Sequence, residues 1–352
     1  MKGLRKITLC FDNSDMSSEA SRAALGLAKA FGSEVVGLHG YNALMHEGAF
    51  RIMEPTLPAQ YQAEEILQKQ RAVHKKLINV GMEKISISYL KPLEDAFRAE
   101  EVPFSARVKE GKNYLALMEM IEEAGGDLVV MGASGFNHNE RGFLGGVCLR
   151  VLRGCNRNFL IIKGSMNTER PKIVVGLDGS ASAISALGTA KALAERFNGE
   201  LHLVYVFDSS LHKDIFDRLK ESIINKEGFA FNSKEQEKIH DQFIDKGLAR
   251  VGSMILERAE KEVFPNGARS LEGWGPVGEG YVPRVRKVLE GHIHRRICEY
   301  ASHEGADLIC VGRTGRHFVE GMDIGSVAEN VVRFSQCNVI ISSHETYEGW
   351  QL

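Results

Sequence analysis

Asp127-Leu-Val-Val-Met-Gly-Ala-Ser-Gly135 and Asp307-Leu-Ile-Cys-Val-Gly-Arg-Thr-Gly315 share one pattern: an acid, a strand-length apolar run, then two glycines separated by two residues. The second stretch lies 180 positions after the first, and the same offset relates Glu110-Gly111 to Glu290-Gly291 and Gly145 to Gly325. Near the start of each copy Asp12 and Asp178 lie 166 apart, so the second copy holds 14 more residues between its first and third strands. Cys155 and Cys337 extend the match at an offset of 182. Self-similarity at a fixed spacing marks a duplicated structural unit. The polar, turn-rich stretch Gly164-Ser-Met-Asn-Thr-Glu-Arg-Pro171 divides the copies. The expected domains are residues 1–165 and 172–347, with a linker at 166–171.

Outward from the glycine pairs, each copy alternates short apolar runs with helix-periodic segments. In the first, strands are expected at Ile7–Phe11, Glu34–His39, Phe104–Lys109, Leu128–Met131 and Phe159–Lys163. Helices are expected at Ser18–Phe31, Gln60–Val80 and Tyr114–Ala124, with another opening at Gly145–Leu152. The second copy gives strands Ile173–Leu177, Leu201–Phe207, Val285–Leu289, Leu308–Val311 and Asn338–Ser342, and helices Ala183–Phe197, His292–His303 and Ser326–Phe334. Continuous Val/Ile/Leu runs suit strands buried on both faces, and alternation with helices implies a parallel sheet with right-handed crossovers. The fold class is therefore α/β, with two tandem, doubly wound, five-stranded parallel-sheet domains. An insert at about 211–280 interrupts the second: an amphipathic Leu211–Ile224, a capping box at Ser233-Lys-Glu-Gln236 with a helix running to about Phe264, and the glycine-rich Gly273–Gly280. It reads as a surface elaboration, a lid or a protein-partner surface.

The 352 residues carry a formal net charge of −2, with 43% hydrophobic and 26% charged residues, the proportions of a folded chain with real cores. The absence of a basic excess argues against a nucleic-acid surface. No apolar run reaches the ~20 residues that a bilayer span needs, and the N-terminus has no signal-peptide pattern. The expected location is the cytoplasm, with no membrane contact. The six cysteines form no Cys-x-x-Cys pair and sit mostly in apolar runs, which suits small buried hydrophobes rather than disulfides.

In open parallel sheets, ligands bind beyond the carboxyl ends of the strands. There the second copy places Gly312, Gly315 and, nine residues on, Gly325-Ser326 at the start of a helix. Glycines let the backbone approach a ligand and take conformations closed to side chains. A helix start offers unpaired N–H groups and partial positive charge to a phosphate, and Ser326 adds a hydroxyl. Arg313, Arg316 and His317 lie in the intervening loop, in reach of distal phosphates.

This order of motifs, with Asp178 closing the first strand in Val-Val-Gly-Leu-Asp-Gly-Ser, resembles the ATP-binding pattern of the universal stress protein family. The resemblance covers both halves, Lys6–Ser165 and Lys172–Ser343, outside the insert. It implies a Rossmann-like fold of the adenine nucleotide alpha hydrolase-like kind and ATP as ligand; the Asp178 carboxylate is a candidate to help hold Mg²⁺ beside the nucleotide. It also implies a pseudo-dimer of the two domains, or a homodimer, and the apolar final strands Phe159–Ile162 and Val339–Ile341 are candidate edges for it, since an unpaired apolar edge is a liability unless covered. Carried over residue by residue, Asp178 and the backbone at Val206 meet base and ribose, Gly312 and Gly315 line ribose and phosphates, and Gly325, Ser326 and Val327 hold the phosphates. The first copy keeps Asp12, Gly132, Gly135 and Gly145 but has Gly146 in the hydroxyl position, and Phe136-Asn-His-Asn-Glu140 in place of the basic loop. One lost hydrogen bond, about 0.5–1.5 kcal/mol, weakens a site without abolishing it.

Three functional readings follow: an ATP-dependent sensor or regulator with at most slow hydrolysis, a non-nucleotide scaffold acting through the insert, and an adenine-nucleotide hydrolase. No catalytic residue stands out. Asp12 and Asp178 at strand ends resemble phosphoacceptor aspartates, but the second copy shows neither the neighbouring acidic pair nor the later lysine of such a site. His292-x-His294 opens a helix, where positions two apart diverge, so no metal site is expected.

Overall fold

The computed structural model describes residues 3–135, 144–209, 245–265, 282–316 and 324–343. The chain divides into two compact units, residues 2–166 and 167–352. The first unit runs β1 (Lys6–Cys10), α1 (Asp15–Phe31), β2 (Glu34–Tyr41), α2 (Ala43–Met53), α3 (Glu64–Ala99), β3 (Phe104–Glu110), α4 (Asn113–Ala124), β4 (Leu128–Gly132), α5 (Gly146–Gly154) and β5 (Phe159–Ile162). The second runs β6 (Lys172–Gly176), α6 (Ala181–Phe197), β7 (Glu200–Phe207), α7 (Asp245–Val263), β8 (Arg284–Glu290), α8 (Ile293–His303), β9 (Leu308–Gly312), α9 (Ser326–Phe334) and β10 (Asn338–Ser342).

All strand pairs within a unit are parallel, in the order β3-β2-β1-β4-β5 and β8-β7-β6-β9-β10. The chain fills one side of the sheet from β1 to β3, then crosses to fill the other with β4 and β5. The reversal opens a crevice at the carboxyl ends of β1 and β4, and of β6 and β9. The registers match: Ile7 faces Leu128 where Ile173 faces Leu308, and Val129 faces Phe159 where Ile309 faces Val339. The last of these keeps the 180-residue offset through the final strand. Cys155 therefore corresponds to Ser335, each amide closing its helix onto Val151 or Val331, and the 182-residue pairing with Cys337 is a coincidence of spelling.

The central strands are buried on both faces, with Ile7, Leu9, Val129, Val130, Ile173 and Ile309 wholly enclosed, so their apolar runs are continuous rather than alternating. The leading acids of the two opening stretches have a structural job. Asp127 Oδ2 accepts the amides of Arg5 and Lys6 at 2.8 and 2.9 Å, and Asp307 Oδ2 that of Lys172 at 2.8 Å, fixing strand starts side by side. Four of the cysteines, Cys10, Cys148, Cys155 and Cys310, are buried, and burial pushes the thiols of Cys10, Cys148 and Cys310 up, so they remain protonated and act as core.

Two helical features depart from the sequence expectation. Helix α2 was not foreseen; Asn42 caps it by accepting the Met45 amide at 3.1 Å, and its Phe50 stacks on His74 at 4.3 Å. Helix α3 spans 36 residues, running past Gly81 and through Pro92 instead of ending near Val80. Propensity stops a helix there, but Ser86, Leu90 and Phe97 are buried beyond that point. Each apolar side chain so buried is worth about 1.5–3 kcal/mol, which together offsets the roughly 3 kcal/mol of an interior proline.

The third strand is fixed differently in the two units. In the first, Phe104 packs on Phe97 with ring centroids 5.0 Å apart. In the second the corresponding residue is Arg284, buried, bonded through Nε to the buried Glu260 of α7, with Nη1 donating to the Val282 carbonyl at 3.0 Å. Its guanidinium lies 4.2 Å from the centre of the Phe264 ring. Of the expected insert, only α7 and its flanks are described; Leu211–Ile224, the Ser233 capping box and Gly273–Gly280 lie outside the described residues.

Candidate functional site

At the carboxyl end of β6 the chain turns into α6 through Asp178-Gly179-Ser180. Ser180 caps the helix by accepting the Ala183 amide, and Asp178 Oδ1 in turn accepts the Ser180 amide at 2.9 Å and its hydroxyl at 2.6 Å. Gly179 takes a φ of 83° to make this turn. The carboxylate is thereby held rigid before any ligand arrives. Its second oxygen faces Gly315, where an added Cβ would lie 3.0 Å from Oδ2.

The glycines act by close approach. None of Gly312, Gly315 and Gly325, nor Gly132, Gly135 and Gly145, has a positive φ, which corrects the expectation of unusual backbone conformations. A Cβ on Gly312 would sit 2.6 Å from the Ala183 nitrogen and 2.5 Å from Ser182 Oγ, so this glycine lets the start of α6 press on the end of β9. That role is purely structural. Gly132 does the same for Met16, with an added Cβ 2.8 Å from the Met16 Cβ.

Beyond Gly315 the chain returns at Gly325, whose N–H donates to the Arg313 carbonyl at 2.8 Å, while the Arg313 N–H donates to the Ser342 carbonyl at 2.7 Å. These bonds bring the start of α9 against the glycine turn. Gly325 is the N-cap and has no side chain to cap with, so no side-chain oxygen competes for the first-turn amides. Ser326 opens that turn and is exposed.

Asp178, Val206, Gly312, Arg313, Gly315, Gly325, Ser326 and Val327 all line one cavity of about 370 Å³. They come from four separate stretches of chain. The lining also includes the apolar Val204, Ile293, Ile297 and Val311 and the polar Thr314 and Arg316. Arg313 is buried, whereas Arg316 is exposed. Tyr205 also lines the cavity; burial raises its phenol pKa, the Arg316 charge opposes the shift and the Asp178 charge adds to it. His317 lies outside the described residues. Tyr205, Ile293 and Ile297 were not singled out in sequence; the i, i+4 spacing of the two isoleucines on a helix start was the available signal.

The first unit repeats this frame. Asp12 Oδ1 accepts the Ser14 amide at 3.0 Å and hydroxyl at 2.5 Å, Asn13 takes a φ of 65°, and the Gly145 N–H donates to the Ala133 carbonyl at 2.7 Å. Asp12, Gly132, Gly135, Gly145 and Gly146 line a cavity of about 540 Å³. Its contents differ. Ala133 and Gly146 stand where the second unit has Arg313 and Ser326, and His39 and Asn113 stand where it has Tyr205 and Ile293. His39 Nδ1 donates to the Phe11 carbonyl at 2.7 Å, and Tyr89 meets the ring edge-on at 5.5 Å. Met45, Met82 and Tyr89, from α2 and α3, enlarge this cavity. Gly40 is the counterpart of Val206, which the sequence reading did not assign although the 166-residue offset points to it. The segment Phe136–Glu140 lies outside the described residues.

His292 Nδ1 lies 2.8 Å from Asp208 Oδ2, while the His294 ring stacks on Phe334 at 5.8 Å, so the two imidazoles serve different neighbours. Among the described residues no three His, Cys, Asp or Glu side chains form a metal cluster, and no helix is long and apolar enough to cross a membrane.

A universal stress protein of Methanocaldococcus jannaschii is 28% identical over 186 residues, covering 51% of this chain and 86% of the relative. One of Mycobacterium bovis is 26% identical over 232 residues, covering 64% of each chain. The crystal structure of a universal stress protein from Archaeoglobus fulgidus superposes with a TM-score of 0.59 at 18% identity, covering 96% of this chain and 98% of that one, and it shares the fold. The universal stress protein family model matches twice, over residues 3–163 and 169–343. With the same sheet order, register and aspartate-to-glycine frame built twice in one polypeptide, this chain belongs to the universal stress protein family as a tandem member.

Proposed function

We propose that the second unit binds ATP and that the chain works as a nucleotide-dependent regulator in the stress response. The observation that carries this is the convergence of eight residues from four stretches on one cavity, whose lining joins apolar side chains to backbone N–H and cationic groups. Its volume of about 370 Å³ falls in the range of small-molecule sites, roughly 300–1,000 Å³. In this reading the base lies among Val204, Ile293 and Ile297 and meets the Val206 backbone. Asp178 Oδ2, beside a residue with no side chain, accepts from the ribose hydroxyls. The uncapped amides of Ser326 and Val327 and the Ser326 hydroxyl receive the phosphates, with Arg316 at the open side neutralising charge. Arg313, buried in the wall of the same cavity, adds positive charge beside the phosphates. Mg²⁺ accompanies the triphosphate.

No residue is assigned as a general base, and the carboxylate best placed to be one, Asp178, is held by Ser180 through its other oxygen. Binding rather than turnover is the proposed output. The first unit, with Ala133 and Gly146 at the phosphate end, is a weaker nucleotide site or none.

Titration calorimetry of nucleotide-stripped protein with Mg-ATP tests this. Binding at one site, weakened in Ser326→Ala without loss of thermal stability, is the expected result. No heat and no thermal shift at saturating nucleotide overturns it in favour of a scaffold.

A further inference from the structure

Helix α3 is about 54 Å long at 1.5 Å per residue, far longer than the strands it packs on. Its inward face is held by Leu67, Ser86, Leu90 and Phe97. Its outward face is apolar. Ile66, Val73, Val80 and Ile87 recur at seven-residue intervals with Leu77 between them, and all five are exposed, Val73 by 63% and Leu77 by 67%. A strict seven-residue repeat is the spacing of a coiled-coil seam. Side chains of this kind facing water mark an interaction surface.

Charge says what fits it. Arg71 and Lys91 are already paired, with Glu54 and Glu64 and with Glu94 and Asp95, but on the face of the stripe between Ile66 and Ile87 the helix carries Lys69, Lys76 and Lys84 against one acid, Glu83, in a chain whose net charge is −2. Lys69 and Lys76 border the stripe and Lys84 interrupts it. Pairing with a second copy works against this pattern. A parallel pair stacks Lys84 on Lys84. The antiparallel register that matches Val73 with Ile87 sets Lys76 against Lys84. A bilayer surface also fits poorly, because a helix lying in lipid needs a broad apolar sector, and this stripe is one residue wide with polar groups on either side.

We propose that the outer face of α3 docks an amphipathic helix of another protein whose apolar seam is flanked by aspartate and glutamate. The lysines steer and register that helix, and the Val/Ile/Leu stripe supplies the buried contact. The surface is separate from both cavities and does not depend on nucleotide.

The test uses the full chain and a labelled four-heptad peptide with Leu at the seam positions and Glu at the flanks, whose own charges stop it pairing with itself. A matching peptide with Lys flanks is the control, read by fluorescence anisotropy. The glutamate peptide binds, and the lysine peptide binds at least about tenfold more weakly. Leu77→Glu with Val80→Glu abolishes binding, while Lys69→Glu, Lys76→Glu and Lys84→Glu together reverse the preference. These side chains are exposed, so circular dichroism and thermal unfolding stay as in the parent. The proposal is overturned by any of three results. One is failure to bind, or equal binding of both peptides. Another is attachment to phosphatidylserine vesicles that the same variants abolish. The third is a dimer in sedimentation that Leu77→Glu with Val80→Glu dissolves.

Discussion

The two cavities of this chain share a frame and differ in contents. In both, a strand-end aspartate orients the serine that caps the next helix, and a glycine amide ties the last helix to the glycine turn. Around the first, Ala133, Gly146, His39 and Asn113 replace Arg313, Ser326, Tyr205 and Ile293. The frame is therefore a requirement of the fold, and ligand chemistry lies in the side chains it presents. The glycine pair by itself cannot identify a nucleotide site, because Gly132 and Gly312 are both accounted for by helix packing. The residues that discriminate are the ones with open space in front of them. Gly146 is the clearest: an added Cβ there meets nothing within 4 Å, so the missing hydroxyl of the first unit is not enforced by packing.

The largest expected effect probes the frame of the second unit. Glu260→Ala leaves the Arg284 guanidinium buried without its carboxylate and should destabilise that unit by about 3–5 kcal/mol in urea unfolding. Replacing the pair by the apolar solution of the first unit, Arg284→Phe with Glu260→Leu, should recover most of that loss. A double variant as unstable as the single one would show that the two units are not interchangeable here. Next, Gly312→Ala and Gly132→Ala should each cost about 1–3 kcal/mol, because the new methyl meets α6 or α1, while Gly146→Ala should leave the melting curve in place. Unequal costs at Gly132 and Gly312 would break the equivalence of the two frames. Smaller still, Ser326→Ala should weaken Mg-ATP at the second unit by roughly tenfold, the worth of about one hydrogen bond, with unfolding unchanged. The smallest is the converse: Gly146→Ser should raise nucleotide affinity of the first unit by less than that, since Ala133 still stands where Arg313 does. Calorimetry on a Ser326→Ala background isolates it. A gain as large as the loss at Ser326 would mean that the hydroxyl alone separates the two cavities.

Much of this was legible without coordinates. The duplication and the five parallel strands per copy followed from apolar periodicity and constant offsets, and the grouping of Asp178 with the glycine pair from the resemblance to the universal stress protein pattern. Local pattern failed where tertiary contact decides. Helix α3 passes Gly81 and Pro92 because Leu90 and Phe97 find a sheet to pack on. The Cys155–Cys337 correspondence failed because identity of letters is weaker than register of strands. Gly40 was missed because a glycine inside a strand has no distinguishing side chain, and only alignment of the copies gives it a role.

The sequence by itself determined the repeat, the strand order's ingredients and the placing of the glycine turns at the carboxyl ends of the strands, because these are written in short-range periodicity and in spacings the backbone must obey. Tertiary structure alone decided what the site glycines do, that Arg313 is buried while Arg316 is exposed, and which face of α3 is left to water. Each of those depends on what a distant segment brings alongside, and burial, close approach and exposure are properties of pairs of surfaces rather than of single residues.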